Sequence, residues 1–191
     1  MTLVVRSRVV PQGNIESLGI SLPWFSVRSP RQMLWLVAAH GGAGVSTLCR
    51  SAPGLFASAG RRWPQGACCA VVARTSAGGL LAAQGVLTDW AAGHAGTARL
   101  LGLILIDDAP GRLPKPLADL AHLVSGGAPA AWRIGWNHAW RCGEPAASTA
   151  SPAVRRLIAE LGDRLIATAS VAAATENTST IRRDNHGSRP R

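Results

Sequence analysis

The chain carries a single lysine, Lys115, against 19 arginines, and only ten acidic residues, so its formal net charge is +10. The arginine skew fits a GC-rich coding sequence better than a choice between the two cations. The surplus still makes a surface that attracts anions, which leaves nucleic acid, acidic partners and anionic membranes as partner classes. No apolar stretch approaches the roughly 18 residues of a bilayer-spanning helix. The run 100–106 is far shorter. The apolar start is broken by Arg6 and Arg8, which argues against a secretory signal. Cys49, Cys68, Cys69 and Cys142 form no C-x-x-C pair. A metal site or disulfide frame is therefore not expected, and the thiols read as buried and reduced. These absences together point to the cytoplasm. The chain has no internal repeat and no G-x-S-x-G elbow. His40-Gly41-Gly42 resembles an esterase oxyanion loop, but it has no nucleophile to serve.

What is present fits one small α/β domain with tails. Hydrophobic residues make up 47% of the 191, enough for a core. Residues 1–32, punctuated by Pro11, Gly13, Pro23 and Pro30, read as a flexible N-terminal arm, with Trp24 and Phe25 able to dock on the core. The apolar segments 34–39, 67–74 (apolar until its last residue, Arg74) and 100–106, with 130–136, read as strands of a sheet covered on both faces. Helical spacing covers 46–59, interrupted by Pro53, then 79–92, 116–124 and 152–169. Alternating strands and helices imply a parallel sheet between helical layers over 33–169. Residues 170–191 read as a disordered basic tail. Its Arg182, Arg183, Arg189 and Arg191 add non-specific affinity for phosphate backbones.

Chemistry concentrates at residues 40–48, His-Gly-Gly-Ala-Gly-Val-Ser-Thr-Leu, directly after the first apolar run. Glycines there let several backbone N–H groups aim at one point, and the following helix start adds a positive dipole end. A phosphate-binding loop reads G-x-x-x-x-G-K-[ST], and its lysine reaches the β- and γ-phosphates. Gly44 and Ser46 fit that pattern, but Val45 stands at the lysine position. It is expected to face the ligand, as the lysine does in intact loops. The lost charge-assisted contact is worth roughly 1.5–3 kcal/mol of binding. Hydrolysis should suffer more, because the lysine also stabilises the transition state. Arg74 emerges from the second apolar run at the strand end where ligands bind in such sheets. With Thr75 and Ser76 it offers a replacement cation and donors. Asp107 and Asp108 close the third strand and suit magnesium held through water. Arg112 or Lys115 can fold over a phosphate from the next segment. Trp132, Trp136 and Trp140 interleave with Arg133 and Arg141. Such a surface can stack on single-stranded nucleic acid, but the shared face of a strand favours core packing.

Two stretches, in order, resemble the ParA/MinD-type partition ATPases. Their deviant loop reads K-G-G-x-G-K-[ST]-T. His40 takes the place of the signature lysine, Gly41, Gly42 and Gly44 match, Val45 replaces the second lysine, and Ser46 and Thr47 match the hydroxyl pair. Residues 103–111 resemble the family's I-I-I-D-T-P-P-G strand, with Asp107 on its magnesium-holding acid. The octet 40–47 also resembles the loop of an actinobacterial family without an assigned activity. The partition-ATPase resemblance covers about residues 34–140. It implies a P-loop NTPase-like fold with a three-layer parallel sheet. It also implies ATP held by His40, Gly41, Gly42, Ala43, Gly44, Val45, Ser46, Thr47 and Arg74, and magnesium at Ser46 and Asp107. Asn137 falls where related folds place a base-reading amide. The family's water-positioning aspartate after the second strand is missing, since no acid follows until Asp89. The expectation is a degenerate nucleotide-binding switch or accessory subunit with little or no ATP hydrolysis. The alternative is a non-catalytic scaffold with a vestigial loop, contacting DNA or a partner ATPase through its basic surface.

Overall fold

Each apolar run splits its side chains between two faces, and that split builds the domain. The computed structural model describes residues 5–6, 10–11, 21–27 and 33–184, with side-chain surroundings for 10–11, 21–27 and 33–168. In chain order the elements are β1 (Val5–Arg6), β2 (Trp24–Ser26), β3 (Leu34–Ala38), α1 (Val45–Ser51), β4 (Phe56–Gly60), β5 (Trp63–Gln65) and β6 (Cys68–Arg74). They continue as α2 (Ala77–Ala91), β7 (Arg99–Ile106), α3 (Lys115–Gly126), β8 (Ala130–Ile134), α4 (His138–Arg141) and α5 (Pro152–Asp184). A six-stranded sheet runs β1-β8-β7-β6-β3-β4, and β2 pairs with β5 beside it. All pairings are parallel except β1 on β8.

The two-residue period of a strand sends alternate side chains to opposite faces. Leu34 and Leu36 of β3, Ala70 and Val72 of β6, Ile104 and Ile106 of β7, and Trp132 and Ile134 of β8 pack with α1 and α5. Val37, Cys69, Val71, Ala73, Leu103 and Leu105 pack on the other face with α2 and α3. The result is a small α/β domain with a mostly parallel sheet and helices on both faces. No helix among the described residues is long and apolar enough to cross a membrane.

The strands stand close to where the apolar runs place them, and so do α2 and α3. The helix expected over 46–59 is a correction. α1 stops at Ser51, and Phe56–Gly60 becomes an edge strand paired with β3. Pro53 cannot donate to a helical ladder, and Gly54 adopts φ +89°, so the chain turns there. At the other end, Ser151 Oγ accepts from Val154 N at 3.3 Å and caps α5, which runs helical to Asp184, past the expected end at 169. Residues 185–191 of the expected tail lie outside the described residues, as does most of the expected arm. Within that arm, Phe25 stacks edge-on against Trp35 at 5.2 Å, whereas Trp24 stays 67% exposed.

The strand order fixes the site. From β3 the chain moves outward to β4, then returns to the other side of β3 as β6 and continues to β7 and β8. The order therefore reverses between β3 and β6. At such a reversal the following loops diverge to opposite faces, and the crevice between them is where open α/β sheets bind ligands.

Candidate functional site

The crevice holds three polar devices that join neighbouring strand ends. His40, just past β3, is the first. Its Nδ1 lies 2.8 Å from Gly41 O, and its Nε2 accepts from Arg74 N at 3.0 Å. A carbonyl only accepts and an N–H only donates, so these partners suit the tautomer that carries its hydrogen on Nδ1. His40 thus straps the glycine loop to the end of β6, and both its nitrogens are spent on backbone. Gly79, in the first turn of α2, completes the fit. A Cβ there would collide with Arg74 O and come within 3.0 Å of His40 Nε2.

Arg74 is the second device. Its Nε donates to Gly42 O at 3.3 Å and its Nη1 to Asp107 O at 3.1 Å, so one guanidinium bridges the ends of β3, β6 and β7. Nη2 makes no hydrogen bond among the described residues. It lies 3.8 Å from where a Cβ on Gly44 would stand. Arg74 therefore reaches the glycine loop, but two of its five N–H donors already hold protein carbonyls.

The third is Asp107, buried to 7% exposure. Arg133 from β8 grips it with both prongs, Nε to Oδ1 at 2.6 Å and Nη2 to Oδ2 at 3.0 Å. Thr75 Oγ1 stands 3.5 Å from Oδ1 and itself accepts from Asp108 N at 3.2 Å. Bidentate geometry of this kind is the strong form of an arginine–carboxylate pair.

Two hollows open over this frame and share Gly42, Gly44, Thr47 and Arg74. One, of about 370 Å³, is lined by the loop 40–47 together with Ser58 and Gly60 of β4 and Arg61 of the turn after it, and by no carboxylate. The other, of about 220 Å³, reaches Asp108, Trp136, Trp140 and Arg141. The backbone N–H groups of residues 41–46 make no hydrogen bond among the described residues. Gly42 at φ +76° and Gly44 at φ +101° turn the loop so that these donors are not spent in a helix or ladder.

The structure brings His40, Gly41, Gly42, Ala43, Gly44, Ser46, Thr47 and Arg74 to one hollow, but two expectations need correcting. Val45 borders the loop hollow yet is only 7% exposed, in the apolar cluster of Leu34, Leu36, Leu48 and Phe56. Its side chain is core and not the ligand-facing substitute for a lysine. Magnesium does not fit the expected pair. Ser46 lines the loop hollow, whereas Asp107 lines a separate cavity with Thr75, Ser76, Arg112 and Arg133, and both its oxygens are engaged. No group of three or more His, Cys, Asp or Glu suited to a metal occurs among the described residues.

Asn137 is not poised to read a base. Its Oδ1 caps α4 at Trp140 N, 3.2 Å, and its Nδ2 donates to Thr149 O at 2.9 Å. Trp132 is core, 1% exposed, with Nε1 on Glu160 at 3.1 Å and Arg164 over its ring. Lys115 and Arg112 are exposed and line neither loop hollow.

Sequence reasoning missed Arg61 and the partnership of Arg133. An arginine inside the otherwise apolar strand 130–134 was the available signal for Arg133, because a charge there needs a partner. Arg61 had no signal, since its place depends on an edge strand that was read as helix. The family of unknown function (DUF6668) matches residues 32–158, and the chain belongs to that family. No curated protein and no solved structure matches it.

Proposed function

We propose that this DUF6668 member is a non-hydrolysing binding protein for a phosphate-bearing small molecule, first of all a nucleotide, held on the glycine loop. The observation that carries the reading is the loop hollow. Residues 41–46, whose N–H groups make no hydrogen bond among the described residues, line it together with Arg61 and Arg74, two arginines from different elements. A concave set of backbone N–H groups is an anion site even without a lysine, and arginine adds charge. The resemblance of the loop and of residues 103–111 to partition ATPases supports a nucleotide over other phosphates. No carboxylate lines this hollow, and Asp108 stands only in the adjoining one, which supports a site that binds without hydrolysing.

Two measurements test this. ATP, ADP and pyrophosphate should each raise the melting temperature, and the rise should grow with the logarithm of ligand concentration above Kd, as ligand linkage requires. Steady-state phosphate release should stay near background. The absence of any shift at millimolar ligand would remove the proposal, and fast turnover would remove its non-hydrolytic half.

A second reading has its own support in the burial of Val45 and in the loop carbonyl that Arg74 already holds. Both suit a loop kept for its shape. The protein would then be a non-catalytic scaffold whose +10 charge contacts DNA or a partner ATPase.

A further inference from the structure

A divalent cation beside a phosphate site needs open carboxylate oxygens, or waters held by them. Asp107 offers neither. Arg133 occupies Oδ1 and Oδ2 in a fork, and Thr75 Oγ1 approaches Oδ1 from a third direction. On the backbone side of the same residue, Arg74 Nη1 holds the carbonyl. One buried carboxylate residue is therefore wedged between two guanidinium groups at the ligand end of the sheet. β8 supplies Arg133 from the strand next to β7, in register with Leu105, so the pair is built into the sheet and does not depend on a loop.

We propose that Arg133 takes the place of a divalent cation at Asp107. The guanidinium neutralises the carboxylate, ties the end of β7 to β8, and keeps metal out. The crevice is left net cationic through Arg61 and Arg74. Phosphate groups on the loop are then held without a metal at Asp107, and Arg133 acts as a positioning residue that sets this independence. Lysine is a poor substitute for the fork, because an ammonium cannot grip both oxygens in one plane.

The ligand half of this inference rests on the phosphate-binding reading, whereas the metal half does not, and the test separates them. The full-length chain, Arg133→Gln, Arg133→Lys and Arg133→Gln/Asp107→Asn are titrated with Mn²⁺ by electron paramagnetic resonance. The wild type is also titrated with pyrophosphate in EDTA and in excess Mg²⁺. The wild type should show no Asp107-dependent Mn²⁺ binding, and its pyrophosphate affinity should agree within about twofold in the two buffers. Arg133→Gln should bind Mn²⁺ at least about tenfold more tightly than wild type, and Asp107→Asn should remove that gain. Arg133→Lys should fall between the two. Wild-type Mn²⁺ binding equal to that of Arg133→Gln would overturn the proposal. So would a tenfold tightening of wild-type pyrophosphate binding by Mg²⁺, or a folded Arg133→Gln that gains no Mn²⁺ affinity. If Arg133→Gln does not fold, the wild-type Mg²⁺ comparison and Arg133→Lys still decide. If wild type binds no pyrophosphate in either buffer, the phosphate reading falls and manganese alone judges the exclusion of metal.

Discussion

At position 45 a lysine would have to leave its ammonium at the margin of a cluster that includes Leu34, Leu36, Leu48 and Phe56. Burying an unpaired charge there costs more than a new phosphate contact returns. Val45→Lys should destabilise the fold by roughly 2–4 kcal/mol in urea titration, without improving nucleotide affinity. A stable variant with tighter binding would restore the view that residue 45 faces the ligand. The glycines, Arg74 and Asp107 were legible as residues, because each stands at the end of an apolar run, where motif and strand end coincide. Their partners were not. The motif says nothing of His40 spending both nitrogens on backbone, or of Arg133 gripping Asp107, because those contacts join segments 34 and 26 residues apart. Removing the fork by Arg133→Ala should cost roughly 2–4 kcal/mol, below the full value for a buried pair because the arginine is partly exposed. A stability change near zero would mean the pair is incidental.

At the scale of elements, a segment is legible in the sequence where its pattern has a single interpretation. Largely apolar segments mark β3, β6, β7 and β8, with arginine at an end of β6 and β7 and inside β8. The segment 56–60, Phe-Ala-Ser-Ala-Gly, carries too few large apolar residues to show a strand period. It was absorbed into the helix before it, although Pro53-Gly54 marks a turn. β5 is only three residues long and is tied to α2 by a hydrogen bond beside its apolar packing: Trp63 Nε1 donates to the buried Asp89 at 2.9 Å. Asp89 also accepts from Leu22 N and meets His94 Nδ1 at 3.1 Å, so a single carboxylate fixes three segments to the helix. Asp89→Ala strands those donors and should cost about 3 kcal/mol in chemical denaturation. A loss below about 0.5 kcal/mol would contradict the anchoring role. β6 also carries a pH dependence. Burial is the main cause that raises the thiols of Cys68 and Cys69 above the usual 9.0. The folded state therefore holds their protons more tightly than the unfolded chain does. Their contribution is fully present below about pH 9 and is lost as pH rises beyond it, because the unfolded thiols ionise first. Melting temperatures should fall between pH 9 and 11, and the fall should shrink in Cys68→Ser/Cys69→Ala. An unchanged slope in that variant would assign the alkaline loss elsewhere.

For the whole molecule, topology places the candidate crevice more firmly than any single motif. The strand order reverses between β3 and β6, and the loops after β3, β6 and β7 meet at that reversal around Arg74. The sequence supports the parallel α/β plan because strands and helices alternate along it. It does not give the side of β3 on which each later strand lies, so the crevice itself was not legible. The charge surplus, by contrast, is legible from composition alone. If the scaffold reading is right, duplex DNA binding should weaken steeply with salt and show no sequence preference. Anisotropy at two salt concentrations checks this, and no binding at low salt would remove nucleic acid as a partner. The central claim is a metal-free phosphate site on the glycine loop. Its most direct test is calorimetric titration of ATP in EDTA into wild type, Gly44→Val and Arg61→Ala. Arg61 is exposed on the rim of the hollow, so its loss should leave the melting temperature unchanged and weaken ATP by roughly fivefold to tenfold. Gly44→Val places a side chain at φ +101° against Ile106 and should abolish binding. Heat from wild type in EDTA, reduced in Arg61→Ala and absent in Gly44→Val, is the predicted result. No heat from wild type at millimolar ATP, or equal binding by all three proteins, would contradict it.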